Sequence, residues 1–345
     1  MRRPLPRNLT LCLALPLAAA NAPPMEAPST SAATFQGSAT PAPHSGASWI
    51  TLGTSGGPQV QAERSQIANA LVVNGAVYLF DVGDGVQRQM AKAGLDEGNV
   101  KAVFVSHHHP DHVASLASVM MTHWTFHPGN LPVIGPVGTL QLVKGIGAAY
   151  APIVLSSFPT GGPAKPPFGN MFEAKDLPAD LDDLALVFSD ENIKVWAIGA
   201  AHYQMPPSIP LDHLPQAVSF LVEANGRKFA YTGDSGPSPN LVRLAKGADV
   251  FISEVVSPEE IAARIIRTAP DLPKQARDGI IAGMSRNHLT AAEVGRVAKA
   301  AGVGEVVLTH FVPLPEDGPD QQALARGVSE QFAGPVVLAD DLSSF

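Results

Sequence analysis

The sequence predicts a layered α/β sandwich, in which sheets carry helices on their outer faces. Three observations lead there. Short runs of strand length, rich in Val, Ile, Phe and Ala, recur along the chain. Two pairs of runs are joined by Asn-Gly, the dipeptide suited to a tight hairpin, at Asn74-Gly75 and Asn225-Gly226. Helical patterns with capping signals separate the later runs, so the theme of the first half repeats in the second.

In chain order, Trp49–Leu52 and Asn69–Val73 read as strands, and Ala76–Phe80 follows across the first Asn-Gly. Val86–Ala93 reads as a helix stopped by Gly94. Ala102–Val105 is a short apolar strand, Val113–Trp124 helical, Leu131–Ile134 a strand and Thr139–Tyr150 a helix. Residues 156–170 hold four prolines and three glycines, a composition that does not choose between a lid, a binding arm and disorder. Leu184–Phe188 and Ile193–Ile198 are strands, and Ala217–Val222 pairs with Lys228–Tyr231 across the second Asn-Gly. Val250–Ser253 is a strand. Ser257-Pro258-Glu259-Glu260 then starts a helix with an N-cap serine, proline at the first helical position and glutamate three after the cap. Thr290 and Glu293 form a second capping box, for a helix running to Ala301, and Glu305–Leu308 is the next strand.

The first 22 residues have the form of a secretory leader. Arg2, Arg3 and Arg7 make a basic start, Leu9 to Leu17 is a short apolar run, and Ala20-Asn21-Ala22 is a small-residue cleavage site. The run is too short to span a bilayer, which takes about 20 residues, so a periplasmic location is expected. Residues 23–48, rich in Pro, Ala, Ser and Thr, read as a linker, and 49–345 as one hydrolase-sized domain. Losing the leader removes three arginines and the only cysteine, Cys12, and takes the formal charge from −8 to −11. A metal site must then be built from histidine and carboxylate. An acidic chain without a Lys/Arg run argues against nucleic acid. No nucleic-acid and no membrane partner is expected, with a homodimer as the candidate assembly.

The most informative stretch is VFVSHHHPDHVASL, residues 103–116. His107-x-His109-x-Asp111-His112 follows a strand end, where a side chain is held rigidly yet open to a ligand. Imidazoles suit zinc and other late divalent metals, and a carboxylate adds charge. One metal needs only three protein ligands, so this many candidates point to two metals.

These residues resemble the signature of the metallo-β-lactamase-fold metallohydrolase superfamily, and the resemblance extends from about Trp49 to about Pro315. His202 after KVWAIGA, Asp234 in YTGDSG and His310 in VVLTHF match the family's further ligands. The resemblance implies a four-layer αβ/βα sandwich and two divalent ions, zinc by ligand type. It assigns His107, His109 and His202 to one ion, Asp111, His112 and His310 to the other, and Asp234 as the bridge. LGTSGGP, YLFDVGDGV and NHLTAAE…LTHF are similar to the ribonuclease Z and arylsulfatase-like branch. There a histidine at the position of His288 contacts the substrate's charged oxygen. The branch's ribonucleases carry a glutamate three residues before the bridging aspartate, where this chain has Tyr231, and that departure speaks against tRNA processing. True metallo-β-lactamases usually lack the bridging carboxylate.

The expected reaction is hydrolysis of a small-molecule ester substrate, a phosphodiester or aryl sulfate ester, by a metal-bridging hydroxide, with Asp111 orienting it and His288 stabilising developing charge. The alternatives are a lactone or β-lactam substrate, and a non-catalytic periplasmic metal-binding protein. Among lesser candidates, Asp81 either hydrogen-bonds a ligand histidine or, like Asp84, shapes a turn. His213 is the alternative to His202. His123, Trp124 and His127 line the pocket mouth or simply end a helix, His44 lies in the linker, and Met120 and Met121 belong to the core.

Overall fold

The alternation of side chains along the strands accounts for the layers. On β3 (Ala76–Val82), Tyr78 and Phe80 point to one face and Val77 and Leu79 to the other, and both sets are buried. A strand buried on both faces needs cover on both, which calls for a sheet on one side and helices on the other. The computed structural model describes residues 46–156, 165–204, 215–314 and 318–345. The leader, nearly all of the linker, His44, His213 and most of the Pro/Gly-rich stretch lie outside those residues.

The strands are β1 (Ala47–Gly53), β2 (Ala68–Val73), β3, β4 (Val100–Phe104), β5 (Leu131–Gly135), β6 (Phe172–Asp176), β7 (Ala185–Ser189), β8 (Ile193–Gly199), β9 (Val218–Ala224), β10 (Arg227–Tyr231), β11 (Val250–Val256), β12 (Glu305–Val312), β13 (Val336–Leu338) and β14 (Ser343–Ser344). The helices are α1 (Val86–Lys92), α2 (Pro110–Val113), α3 (Leu116–Phe126), α4 (Thr139–Ala149), α5 (Ala151–Leu155), α6 (Pro239–Ala245), α7 (Pro258–Thr268), α8 (Lys274–Asn287), α9 (Ala291–Ala301) and α10 (Gly318–Ser329). One sheet has the order β14-β1-β2-β3-β4-β5-β6, the other β13-β12-β11-β10-β9-β8-β7. Each is built from antiparallel hairpin strands followed by parallel strands whose crossovers carry helices.

Between the sheets, Trp49, Phe80 and Phe104 meet Phe220, Phe229 and Tyr231. Trp49 stacks on Phe229 at 6.0 Å and Phe80 meets Phe220 edge-on at 5.8 Å. Such pairs add about 0.5–1.5 kcal/mol each beyond area burial. The outer faces pack on helices: Val86, Met90, Leu116 and Met120 on the first sheet, Leu241, Val294, Ala298 and Val328 on the second. The result is the four-layer sandwich implied by the resemblance. Among the described residues, no helix is long and apolar enough to cross a membrane.

Two local differences bear on the site. The helix expected over Val113–Trp124 is two helices: α2 starts at Pro110, and the chain breaks at Ala114–Ser115, where Ser115 N–H donates to the Val82 carbonyl at 2.9 Å. That extra turn places Asp111 and His112 on its buried side. The first strand starts at Ala47, inside the stretch read as linker.

Candidate metal centre

The ends of β4, β8, β10, β11 and β12 open on one edge of the sandwich, and each delivers part of the site. After β4 the chain stays extended, so His107 and His109 fall on one side. His202 follows β8, Asp234 follows β10 and His310 lies within β12. The seven residues expected as ligands are thus brought into one cluster. The ligand atoms of His107, His109, His202 and Asp234 all lie within 4.8 Å of one another, as do those of Asp111, His112 and His310.

Asp234 stands between the two groups, one oxygen toward each. Its Oδ2 is 3.7 Å from His107 Nε2 and 3.8 Å from His202 Nε2. Its Oδ1 is 3.5 Å from His112 Nε2 and 3.3 Å from His310 Nε2. His310 Nε2 is also 3.3 Å from Asp111 Oδ2.

Three observations show that these residues fit divalent ions. His107 Nε2 and Asp234 Oδ1 are buried without a hydrogen-bond partner, which a folded chain tolerates only where something else satisfies them. Pairs of ring nitrogens face each other, His109 Nδ1 and His202 Nε2 at 3.1 Å and His112 Nε2 and His310 Nε2 at 3.2 Å. On two of these rings the opposite nitrogen is occupied: His202 Nδ1 donates to the Asn287 carbonyl at 2.9 Å and His112 Nδ1 to Asp81 Oδ2 at 2.8 Å. With Nδ1 of those two rings committed as the donor, Nε2 of each turns inward and is the nitrogen that can present a lone pair to a metal. Burial lowers the basicity of His107, with the charge of His112 adding to it, and takes His202 down to about 4, so both rings are neutral. Burial works against the Asp111 carboxylate, but the hydrogen bond from His310 and the charges of His112 and His310 hold it well below the usual carboxylate range.

Asp81 is the hydrogen-bonding support that the sequence left open. It occupies the left-handed region at φ 58°. Its carboxylate accepts from Ser106 N–H and Oγ and from Tyr231 OH, each at 2.7 Å, as well as from His112. Asn tolerates the same backbone, so Asp81→Asn removes the charge and turns one accepting oxygen into a donor. It is expected to weaken metal binding about 10–100-fold, the usual loss for a ligand's hydrogen-bonding partner. Titration against a chromogenic chelator checks this, and unchanged affinity would contradict it.

The LGTSGGP loop closes the second half of the site. Gly57 N–H donates to Asp111 Oδ2 at 2.8 Å. A Cβ at Gly56 would lie 2.7 Å from the His310 ring, so glycine is what lets the loop come this close.

His288 caps the end of α8 and is buried. Its Nδ1 lies 2.5 Å from Glu254 Oε2, and its ring centroid is 4.9 Å from that of His202. Burial opposes protonation, but the Glu254 charge and hydrogen bond outweigh it and push His288 up to about 9. With Nδ1 committed to Glu254, Nε2 is the ring nitrogen left to meet a substrate. The glutamate absent at Tyr231 is therefore supplied from β11. Sequence reasoning missed Glu254, although one acid inside the apolar run VFISEVV was a signal. It also missed Tyr203, whose ring lies 4.9 Å from His202 and 5.3 Å from His109.

The lesser candidates stay outside. His108 turns away to Thr139 Oγ1 at 2.9 Å. His123 donates to the Gly129 carbonyl, Trp124 to the Pro166 carbonyl, and Met120 is core, all in the outer layer of the first sheet. Asp84 sits in a turn, where its carbonyl accepts from Gln66 N–H and its N–H donates to Gln66 Oε1.

Fold and site together define a metal-dependent hydrolase of the metallo-β-lactamase class. The Beta-lactamase superfamily domain matches residues 77–311, and the chain belongs to that family. Its members' fold is associated with two metal ions, and the chain is a metal-dependent hydrolase of ester bonds. It is 30% identical to ribonuclease Z of Mycolicibacterium paratuberculosis (strain ATCC BAA-968 / K-10) over 300 residues, 85% of this chain and 96% of that protein. Two solved structures share the fold. The metallo-β-lactamase fold protein YhfI from Bacillus subtilis aligns with TM-score 0.61 at 18% identity, over 87% of this chain and 98% of that one. Human tRNase Z, short form, aligns with TM-score 0.58 at 21% identity, over 86% and 98%.

These relatives correct one expectation. The small-molecule ester substrate, drawn from the resemblance, and the exclusion of nucleic acid, drawn from the acidic charge, Tyr231 and the export signal, are overturned by similarity to enzymes named for acting on RNA. Net charge averages over the whole surface. Ions held at a centre of this kind would supply local positive charge, so no Lys/Arg run is required.

Proposed function

We propose that this chain is a dinuclear zinc phosphodiesterase that cleaves RNA. The observation that carries the reading is Asp234, with one oxygen toward each of two ligand groups and the His288–Glu254 pair on the same wall. His107, His109 and His202 would hold one ion, Asp111, His112 and His310 the other, with Asp234 shared. An imidazole-rich, thiolate-free set suits zinc. Two such ions acidify water and offset charge at a phosphoryl group. The chain's own residues supply the rest. Asp111, with Oδ2 held by Gly57 N–H, has Oδ1 to accept a proton from the attacking water. His288, kept protonated by Glu254, hydrogen-bonds the charge that develops on a phosphoryl or leaving oxygen. The family resemblance and the ribonuclease Z relatives favour RNA over an aryl sulfate, lactone or lactam.

Zinc-loaded protein offered a single-stranded RNA extension on a duplex stem, an aryl phosphodiester, an aryl sulfate and a cephalosporin decides the substrate. Cleavage of the RNA and the phosphodiester is expected. Turnover of the sulfate or the cephalosporin with RNA left intact would contradict the reading.

Export belongs to the same proposal. The basic start, the apolar run and Ala20-Asn21-Ala22 support cleavage after Ala22 and a periplasmic enzyme. Expressed in a Gram-negative host, the mature protein is expected to begin at Pro23 by intact mass. Full-length protein confined to the cytosol would refute it.

A further inference from the structure

Asn287 ends α8 immediately before His288. Its main-chain carbonyl accepts from His202 Nδ1 at 2.9 Å, and its side-chain Oδ1 accepts from Gln204 N–H at 2.8 Å. Gln204 answers from the other side, its Nε2 donating to the Arg286 carbonyl at 2.7 Å and the Ala201 carbonyl at 3.0 Å. Gly236, two residues after Asp234, closes the arrangement. Its N–H donates to the Ala201 carbonyl at 3.1 Å, and a Cβ there would fall 1.9 Å from the Arg286 carbonyl oxygen.

Three segments are therefore fastened together: the chain after β8 that carries His202, the chain after Asp234, and the end of α8 that leads into His288. No ligand nitrogen is used in the fastening. It matters because α8 itself is weakly held: none of its 14 residues is fully buried, and past its end the chain is tied only further on, by His288 to Glu254 and by the Leu289 carbonyl to Val256 N–H. The hydrogen bonds to Gln204 and His202 fix Asn287 itself. Without them the Asn287 carbonyl moves, and His202 loses the partner that keeps Nε2 turned toward Asp234.

We propose that the Asn287–Gln204 clasp is a positioning device that sets His202 for metal binding and His288 for substrate in one register. Neither residue touches a substrate or an ion, and the inference rests on the dinuclear reading above.

The test uses the full-length protein, with cobalt or zinc titrated into Asn287→Ala, Asn287→Asp, Gln204→Ala and wild type. Asn287→Ala and Gln204→Ala are expected to weaken one of the two ions about 10–100-fold, leaving the other ion and the melting temperature nearly unchanged. The visible spectrum of the cobalt form should change for the weakened ion alone. Asn287→Asp, which keeps an acceptor for Gln204 N–H, should recover most of the affinity. Variants that bind both ions as wild type does, or that weaken both equally with a lowered melting temperature, would overturn the inference while leaving the metal reading intact. Wild-type protein that binds fewer than two ions overturns the metal reading and this inference with it.

Discussion

Asp234→Ala is expected to abolish hydrolysis and to lower metal content from two ions per chain to one or none. The reason is geometric. Asp234 is the residue whose two oxygens face both ligand groups, at 3.3–3.8 Å from four histidine nitrogens. Removing it leaves one group with three imidazoles, the other with two imidazoles and the Asp111 carboxylate, and no negative charge shared between them. Metal-assisted charge stabilisation is worth several kcal/mol, and each 1.36 kcal/mol is tenfold in rate, so a loss of about 10³-fold or more follows. Elemental analysis beside a rate measurement checks both halves. Full metal loading in the variant would mean that Asp234 is not the bridge.

His288→Ala is expected to cost about 10²–10³-fold in rate, the loss usual for one donor to a developing oxyanion, with metal content unchanged. His288 Nδ1 is satisfied by Glu254, so the ring does not depend on a metal for its place. His310 differs: its Nε2 lies 3.2–3.3 Å from His112, Asp111 and Asp234, at the middle of the second ligand group. His310→Ala should therefore lose metal and activity together. Glu254→Gln should follow His288→Ala, since it removes the charge that keeps the ring protonated. Loss of metal from His288→Ala would make His288 a ligand. No change in either quantity would make it a buried residue beside a helix cap.

Much of this site was legible because its chemistry is written in residue types. Few structures need His-x-His-x-Asp-His after a buried strand, and the spacing alone placed His107 and His109 on one side. The N-cap at Ser257 and the capping box at Thr290 were readable for the same reason, since a local hydrogen bond needs only a local pattern. What escaped notice depends on contacts distant in sequence. Glu254 lies 34 residues from His288, and only the pairing of β11 with its neighbours brings them together. Tyr231 looked like the loss of a catalytic carboxylate. In the fold it donates to Asp81, and the carboxylate comes from the next strand. α8 was missed because a helix with no buried face has no apolar period to read. The polar edge strand β6, FEAKD, lacks the alternation of a half-buried strand. The exclusion of nucleic acid failed for a different reason: bulk charge reports on a surface, whereas a metal site carries its own positive charge.

The most direct test of the account is RNA cleavage measured while metal-free protein is reloaded with zinc in steps. If two ions act as one centre across Asp234, cleavage stays near background through the first equivalent per chain and rises to its maximum as the second is added. Full cleavage at a single equivalent, or none when two are bound, would contradict it.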